Sequence, residues 1–236
     1  MTLKEKLIYI SESLYRNEED ENYQIELLEG MSHEEIQNFR NKLPNQYLQE
    51  DVEELIRFSS GFEFEPLEEV RFDNFAIFGR EELFPNSIQL AGDGFGNFWI
   101  LDIDSKGNWN SVYYVCHDPA VVVKQAENLS EFLDQINDLG NNFENALINV
   151  IHEEKAFEIW KKKSEILKNN GSNYSFPLNT ETPDSYIIAD LKNQPNGSGF
   201  IWGLSGANTK IIRPTDEPIW IVENKEKRGF FSKLFS

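Results

Sequence analysis

The chain has 236 residues, 39% of them hydrophobic, and a formal charge of -19: enough apolar material for a buried core, and a field that repels nucleic-acid backbones. Cys116 is the only cysteine, so an intrachain disulfide and a thiolate metal site are excluded, and no apolar run reaches membrane-spanning length. The opening residues Met1-Thr2-Leu3-Lys4-Glu5-Lys6 lack the apolar core and cleavage site of a secretory signal, so the expected compartment is the cytoplasm.

The charge sits in one part of the chain. Residues 1–140 carry 10 Lys and Arg against 29 Asp and Glu, whereas residues 141–236 carry 12 of each. This predicts an acidic domain over 1–140 and a neutral extension over 141–236.

Leu3, Leu7, Ile10 and Leu14 recur at helical spacing and predict a helix over 3–15 with all four on its buried face. The acidic run Glu18-Glu19-Asp20-Glu21 ends it, because like charges on adjacent turns repel. Ser32 and Glu35 have capping-box spacing, so a second helix begins there with Ile36 and Phe39 on its apolar side. Pro44 disfavours helical geometry at Leu43; a helix restarts through Val52, Leu55, Ile56 and Phe58, and Gly61 is placed to cap its end. From Phe62 to Gln125 the period shifts towards two, predicting strands over 70–78, 88–90, 98–102, 109–115 and 120–124. Asp104-Ser105-Lys106-Gly107-Asn108 suits a hairpin connection between two of them. Ser130 offers an N-cap to a helix bearing Phe132, Leu133 and Ile136, and Gly140 a stop. A long amphipathic pattern follows through Phe143, Leu147, Val150, Phe157, Trp160 and Leu167, finishing at Asn170-Gly171. Short strands are then expected over 186–189, 200–204, 210–213 and 219–222, either extending the first sheet or forming a small separate one.

Four blocks carry a family signal: Leu43-Pro44-x-x-Tyr47 leading through a helix to Gly61-Phe62, Gly92-Asp93-Gly94-x-Gly96-Asn97-x-Trp99-x-Leu101-Asp102, Val112-Tyr113, and Leu129-Ser130-Glu131-Phe132-Leu133. In order and spacing they resemble the SUKH superfamily, which includes fungal regulators of cell-wall assembly and bacterial immunity proteins of polymorphic toxins. The resemblance covers roughly residues 30–140. It implies an α+β fold, with helices packed on one side of a mainly antiparallel, curved sheet and a C-terminal helix plus short-strand extension outside it. It also implies protein binding without catalysis. Within it, Gly92, Gly94 and Gly96 shape the sheet before they contact anything.

Templates for chemistry fail at named positions. Asn97 stands where a dinucleotide fingerprint needs its third glycine, and Phe95 and Asp104 occupy positions a calcium loop gives to other ligands. Asp102 and Asp104 share one strand face and read most simply as a solvated face and a turn initiator. His33, His117 and His152 lie in different elements without zinc spacing, and Cys116-His117-Asp118 cannot converge along a strand. The expectation is therefore no enzyme, no metal and no cofactor.

A contact surface is the better candidate. Glu63, Glu65, Glu68, Glu69, Asp73, Glu81 and Glu82 are interleaved with Phe62, Phe64, Phe72, Phe75 and Phe78, and Asp93 and Phe95 of the glycine-rich turn complete the set. Carboxylates of that kind steer association with a basic partner while an aromatic anchor supplies affinity. The competing reading places every phenylalanine in the core and every acid in solvent. The basic, aromatic end from Lys225 to Ser236 suits weak peripheral contact with a membrane or a partner's groove. The combined reading is a cytoplasmic immunity protein that occludes a basic toxin domain, a nuclease or another effector; the alternative is a regulatory scaffold.

Overall fold

The computed structural model describes residues 1–17, 20–162, 185–206 and 208–225. The predicted positions Glu18, Glu19, Leu167, Asn170 and Gly171, and the basic end from 226 onwards, lie outside the described residues. In chain order the elements are α1 (Leu3–Glu12), the short strands β1 (Tyr15–Arg16), β2 (Asn22–Tyr23) and β3 (Glu26–Leu27), α2 (His33–Arg40) and α3 (Glu50–Phe58). Strands β4 (Gly61–Phe64), β5 (Glu68–Arg71), β6 (Ser87–Gly92), β7 (Phe98–Ile103), β8 (Trp109–His117) and β9 (Ala120–Ala126) follow. Then come α4 (Leu129–Asn141), α5 (Leu147–Val150), α6 (Ala156–Lys162), and strands β10 (Tyr186–Asp190), β11 (Gly199–Ile201), β12 (Ile211–Ile212) and β13 (Ile219–Glu223).

The fold is α+β, built on a five-stranded antiparallel sheet ordered β11-β9-β8-β7-β6. Strand alternation sends side chains to two faces, and both are apolar. Trp99, Leu101, Val112, Tyr114, Val121 and Val123 meet the helices, where Leu3, Leu7 and Ile10 of α1, Val52, Leu55 and Ile56 of α3, and Phe132, Leu133 and Ile136 of α4 close one core. Ile100, Tyr113, Val115, Val122 and Phe200 form a second core with Leu83, Phe84, Ile187, Ala189, Trp220 and Val222. The C-terminal strands thus do both things left open above. β11 extends the main sheet beside β9, while β10, β13 and β12 form a three-stranded sheet whose residues line the second core. A third sheet, β3-β4-β5, lies beside β6, joined through the Phe75–Ile88 bridge.

Several local expectations hold for the stated reasons. Ser32 and Glu35 form a reciprocal capping box at α2, as Thr2 and Glu5 do at α1. Pro44 opens a short 3-10 turn, and the helix restarts only at Glu50.

Others are corrected by packing. Leu14 falls beyond α1 and is 60% exposed. Gly61 caps nothing: α3 ends at Ser59, and Gly61 is a strand residue whose added Cβ would lie 2.1 Å from the Val70 carbonyl oxygen. Asn128, not Ser130, caps α4 by accepting the Glu131 N–H. Gly140 lies inside that helix, and it is glycine because a Cβ there would meet the Tyr15 ring at 2.3 Å. The long amphipathic pattern is interrupted by a 3-10 turn (Phe143–Asn145) and a π turn (Ile151–Lys155). The π turn inserts a residue and rotates the buried face. Ala146, Ile148, Ile151 and Ala156 are buried, while Phe143 and Phe157 are 46% and 48% exposed.

Asp102 is not on a solvated face. Arg213, next to β12, donates two hydrogen bonds of 2.6 Å to it, and both side chains are 3% exposed. Burial pushes the Asp102 carboxyl upward against the pull of the guanidinium. The Trp220 indole N–H donates to the Leu83 carbonyl at 2.8 Å and that of Trp202 to the Cys116 carbonyl at 3.0 Å, adding polar contacts between the extension and the acidic part. Removing one member of such a pair leaves a buried charge and costs about 3–5 kcal/mol. Arg213→Met is expected to lower unfolding free energy by that order in urea titrations, and the double variant Asp102→Asn/Arg213→Met to recover part of the loss.

Candidate protein-binding surface

The glycine-rich turn between β6 and β7 is a preorganised display of one side chain. The Asp93 carboxylate accepts the Phe95 N–H at 2.9 Å, the Asn97 N–H at 3.0 Å and the Asn97 side-chain amide at 2.5 Å. Gly94 and Gly96 take positive φ, +73° and +88°, which a side chain would strain. Asn97 in turn accepts the His117 backbone N–H at 2.9 Å. From the π turn, His152 reaches Asp93 with Nε2 at 3.2 Å and stacks on Trp99. The product is Phe95, 80% exposed on a turn fixed from both sides.

The β7–β8 turn repeats the device. Asp104 accepts the Lys106 and Asn108 N–H groups at 2.9 and 2.8 Å and the Asn108 amide at 2.8 Å, and Gly107 has φ +91°. Asp-x-x-Gly-Asn therefore occurs twice, at the two ends of β7. Asp104 is the turn initiator expected of it.

The predicted acidic set divides. Glu63, Glu65, Glu68 and Glu69 are exposed on β4, β5 and the turn between them, while Phe62, Phe64 and Phe72 beneath are buried. Registry places Glu26, Glu63 and Glu69 directly opposite one another across three strands. Glu68 lies at the glycine-rich turn, 3.9 Å from where a Gly94 Cβ would be. Asp73 is not available in the same way, because Arg71 holds it at 2.9 and 2.7 Å and also reaches Glu69 at 3.1 Å. Glu81 and Glu82 belong to a different place: their segment feeds Leu83 and Phe84 into the second core, with Arg80 stacked on Trp202 at 4.3 Å. Asp93, only 6% exposed, positions Phe95 and does not present itself.

The remaining family-motif positions have structural duties. Leu43 is buried, Gly92 ends β6, and Trp99 donates from its indole to Gln125 at 3.1 Å. Burial raises the Cys116 thiol above its ordinary value. His117 faces Asn97, at 2.8 Å from Nδ1. Among the described residues no group of three or more His, Cys, Asp and Glu is arranged to hold a metal ion, and no helix is long and apolar enough to cross a membrane. Sequence reasoning missed His152, whose carboxylate partner is 59 positions away, and Glu26, which reaches the row only through strand pairing.

Residues 10–135 match the SMI1 / KNR4 family (SUKH-1). The chain belongs to this family. The match begins earlier than the resemblance did, at residue 10, in keeping with β3 pairing to β4 and Tyr15 lying in the main core. No curated protein and no solved structure matches the chain.

The SUKH turn is acid-sensitive by construction. Burial alone would raise Asp93, but hydrogen bonds from Asn97, Phe95 and His152 outweigh it and hold the carboxyl below the usual range; bonds from Asn108 and Lys106 do the same for Asp104. A depressed folded value means the stabilisation is complete above about pH 4, the unfolded aspartate range, and is lost as pH falls through the folded value. Protection of the Phe95, Asn97 and Asn108 amides, taken as the exchange rate relative to the intrinsic rate at each pH, is expected to fall together on acidification from pH 6 to pH 3. In Asp93→Asn the first turn is expected to lose that response while Asn108 keeps it; an unchanged response at Phe95 contradicts the assignment.

Proposed function

We propose that this SUKH protein is an immunity protein that binds a basic toxin domain, a nuclease or another effector, and blocks it by stoichiometric occlusion without turnover or cofactor. The observation that carries the reading is the row Glu26, Glu63 and Glu69. Like charges directly opposite on neighbouring strands destabilise a sheet; Arg71 offsets part of the charge at Glu69, and a cationic partner over Glu26 and Glu63 accounts for the rest of the row. Carboxylates at an interface mainly speed encounter and select the partner. Phe95, held rigid beside Glu68, is the anchor, because a preordered aromatic loses little conformational freedom on binding. The protein acts in the cytoplasm, where the toxin would otherwise reach its target.

The test pairs the chain with the toxin encoded beside its gene. Wild type is expected to rescue growth of cells expressing the toxin and to bind the isolated domain. Glu63→Lys/Glu69→Lys is expected to weaken binding about tenfold or more, chiefly through slower association that is sensitive to salt. Phe95→Ala, a hot-spot truncation, is expected to cost about tenfold or more through faster dissociation. Glu81→Lys/Glu82→Lys serves as a control with binding unchanged. Absence of a neighbouring toxin gene, or no rescue by wild type, removes the immunity reading in favour of a regulatory scaffold.

A further inference from the structure

A groove of about 620 Å³ opens on the helix side of the molecule, between the β1–β2 hairpin, the turn after β4 and the end of α4. Its apolar lining comes from Tyr23, Pro66, Leu139 and Phe143. An aromatic cluster backs it: Tyr15, Tyr23 and Phe64 have ring centroids 5.6 to 6.0 Å apart, so the floor is fixed by packing. Phe143, 46% exposed, contributes an aromatic surface that the core does not use.

The rim carries acid. Glu65 and Glu144 line the groove and are exposed, and Asp20 and Glu21 stand exposed on the adjoining hairpin. The lining cation, Arg16, is itself paired with Asp20 at 2.7 Å. Burial first, and then the negative charge of Glu65, pushes the Tyr23 hydroxyl up to about 12. Glu65, which lines the groove, follows Glu63 of the carboxylate row by two residues, just past the end of β4. An apolar trough with an acidic edge complements a segment with an apolar face and a basic flank.

We propose that this groove seats a basic amphipathic segment of the protein partner, an apolar side chain against Tyr23, Leu139 and Phe143 and Lys or Arg side chains over Glu65 and Glu144. The inference rests on the protein-binding reading above and adds to it a second contact region and the chemistry of what fills it.

The probe is a fluorescent 18-residue amphipathic helix of Leu and Lys, titrated against the full chain, with a Leu/Glu helix of the same pattern for comparison. The Leu/Lys helix is expected to bind at least tenfold tighter than the Leu/Glu helix. Glu65→Lys/Glu144→Lys and Phe143→Asp, all at exposed positions, are expected to weaken it tenfold or more, with unfolding midpoints near wild type; Glu81→Lys/Glu82→Lys is expected to leave it unchanged. No binding to wild type, or binding indifferent to both groove variants, overturns the proposal. So does binding seen only when Phe230, Phe231, Leu234 and Phe235 are changed to Ser in the full chain, which would make the chain's own basic end the occupant. Failure of toxin rescue with groove-dependent peptide binding intact counts against the immunity reading and leaves the groove standing.

Discussion

A sheet with apolar side chains on both faces has to be covered twice, and this constraint organises the protein. Strands β7, β8 and β9 alternate between two sets of large residues: Trp99, Leu101, Tyr114 and Val123 on one face, and Ile100, Tyr113, Val115 and Val122 on the other. Each buried large side chain is worth about 1.5–3 kcal/mol relative to exposure, so neither face is stable in water. Helices close the first. The second is closed by the three-stranded C-terminal sheet, whose Trp220 ring packs 4.9 Å from that of Phe200 on β11 of the main sheet. The neutral extension is thus tied to the acidic part by a shared core and by the buried Arg213–Asp102 pair.

Covering both faces decides where a partner can touch. The apolar faces of the main sheet are occupied by the chain itself, while the small β3-β4-β5 sheet, the hairpin turns and the helix-side groove are among the surfaces that remain exposed. Two of these carry exposed features, the carboxylate row on the small sheet and Phe95 on its turn. The turn illustrates how an exposed side chain is held on a rigid backbone without burial. A carboxylate accepts two backbone N–H groups and a side-chain amide, two glycines supply the positive φ, and His152 braces the carboxylate from the helix layer.

Much of the fold was legible because its signals are local. Capping at Ser32, the break at Pro44, the strands from β6 to β9 and the turn at Gly107 each depend on a few adjacent residues. The misread positions depend on distant ones. Gly61 and Gly140 look like helix stops in sequence, yet each is glycine because Val70 or Tyr15 leaves no room for a Cβ. Asp102 looks solvated until Arg213, 111 residues later, is placed beside it.

The candidate surface divides along the same line. By itself the sequence determined that the protein is acidic over residues 1–140, belongs to an α+β class with a glycine-rich turn, and carries glutamates alternating with phenylalanines around β4. Alternation along a strand is enough to send Phe62 and Phe64 inward and Glu63 and Glu65 outward. Tertiary structure alone decided that Glu26 joins Glu63 and Glu69, that Arg71 withdraws Asp73, that Glu81 and Glu82 lie elsewhere, and that Tyr23, Leu139 and Phe143 share a groove. The physical reason is that strand registry and side-chain packing join residues by distance in space, and nothing in local propensity or periodicity encodes which distant strand or helix end will supply the neighbour.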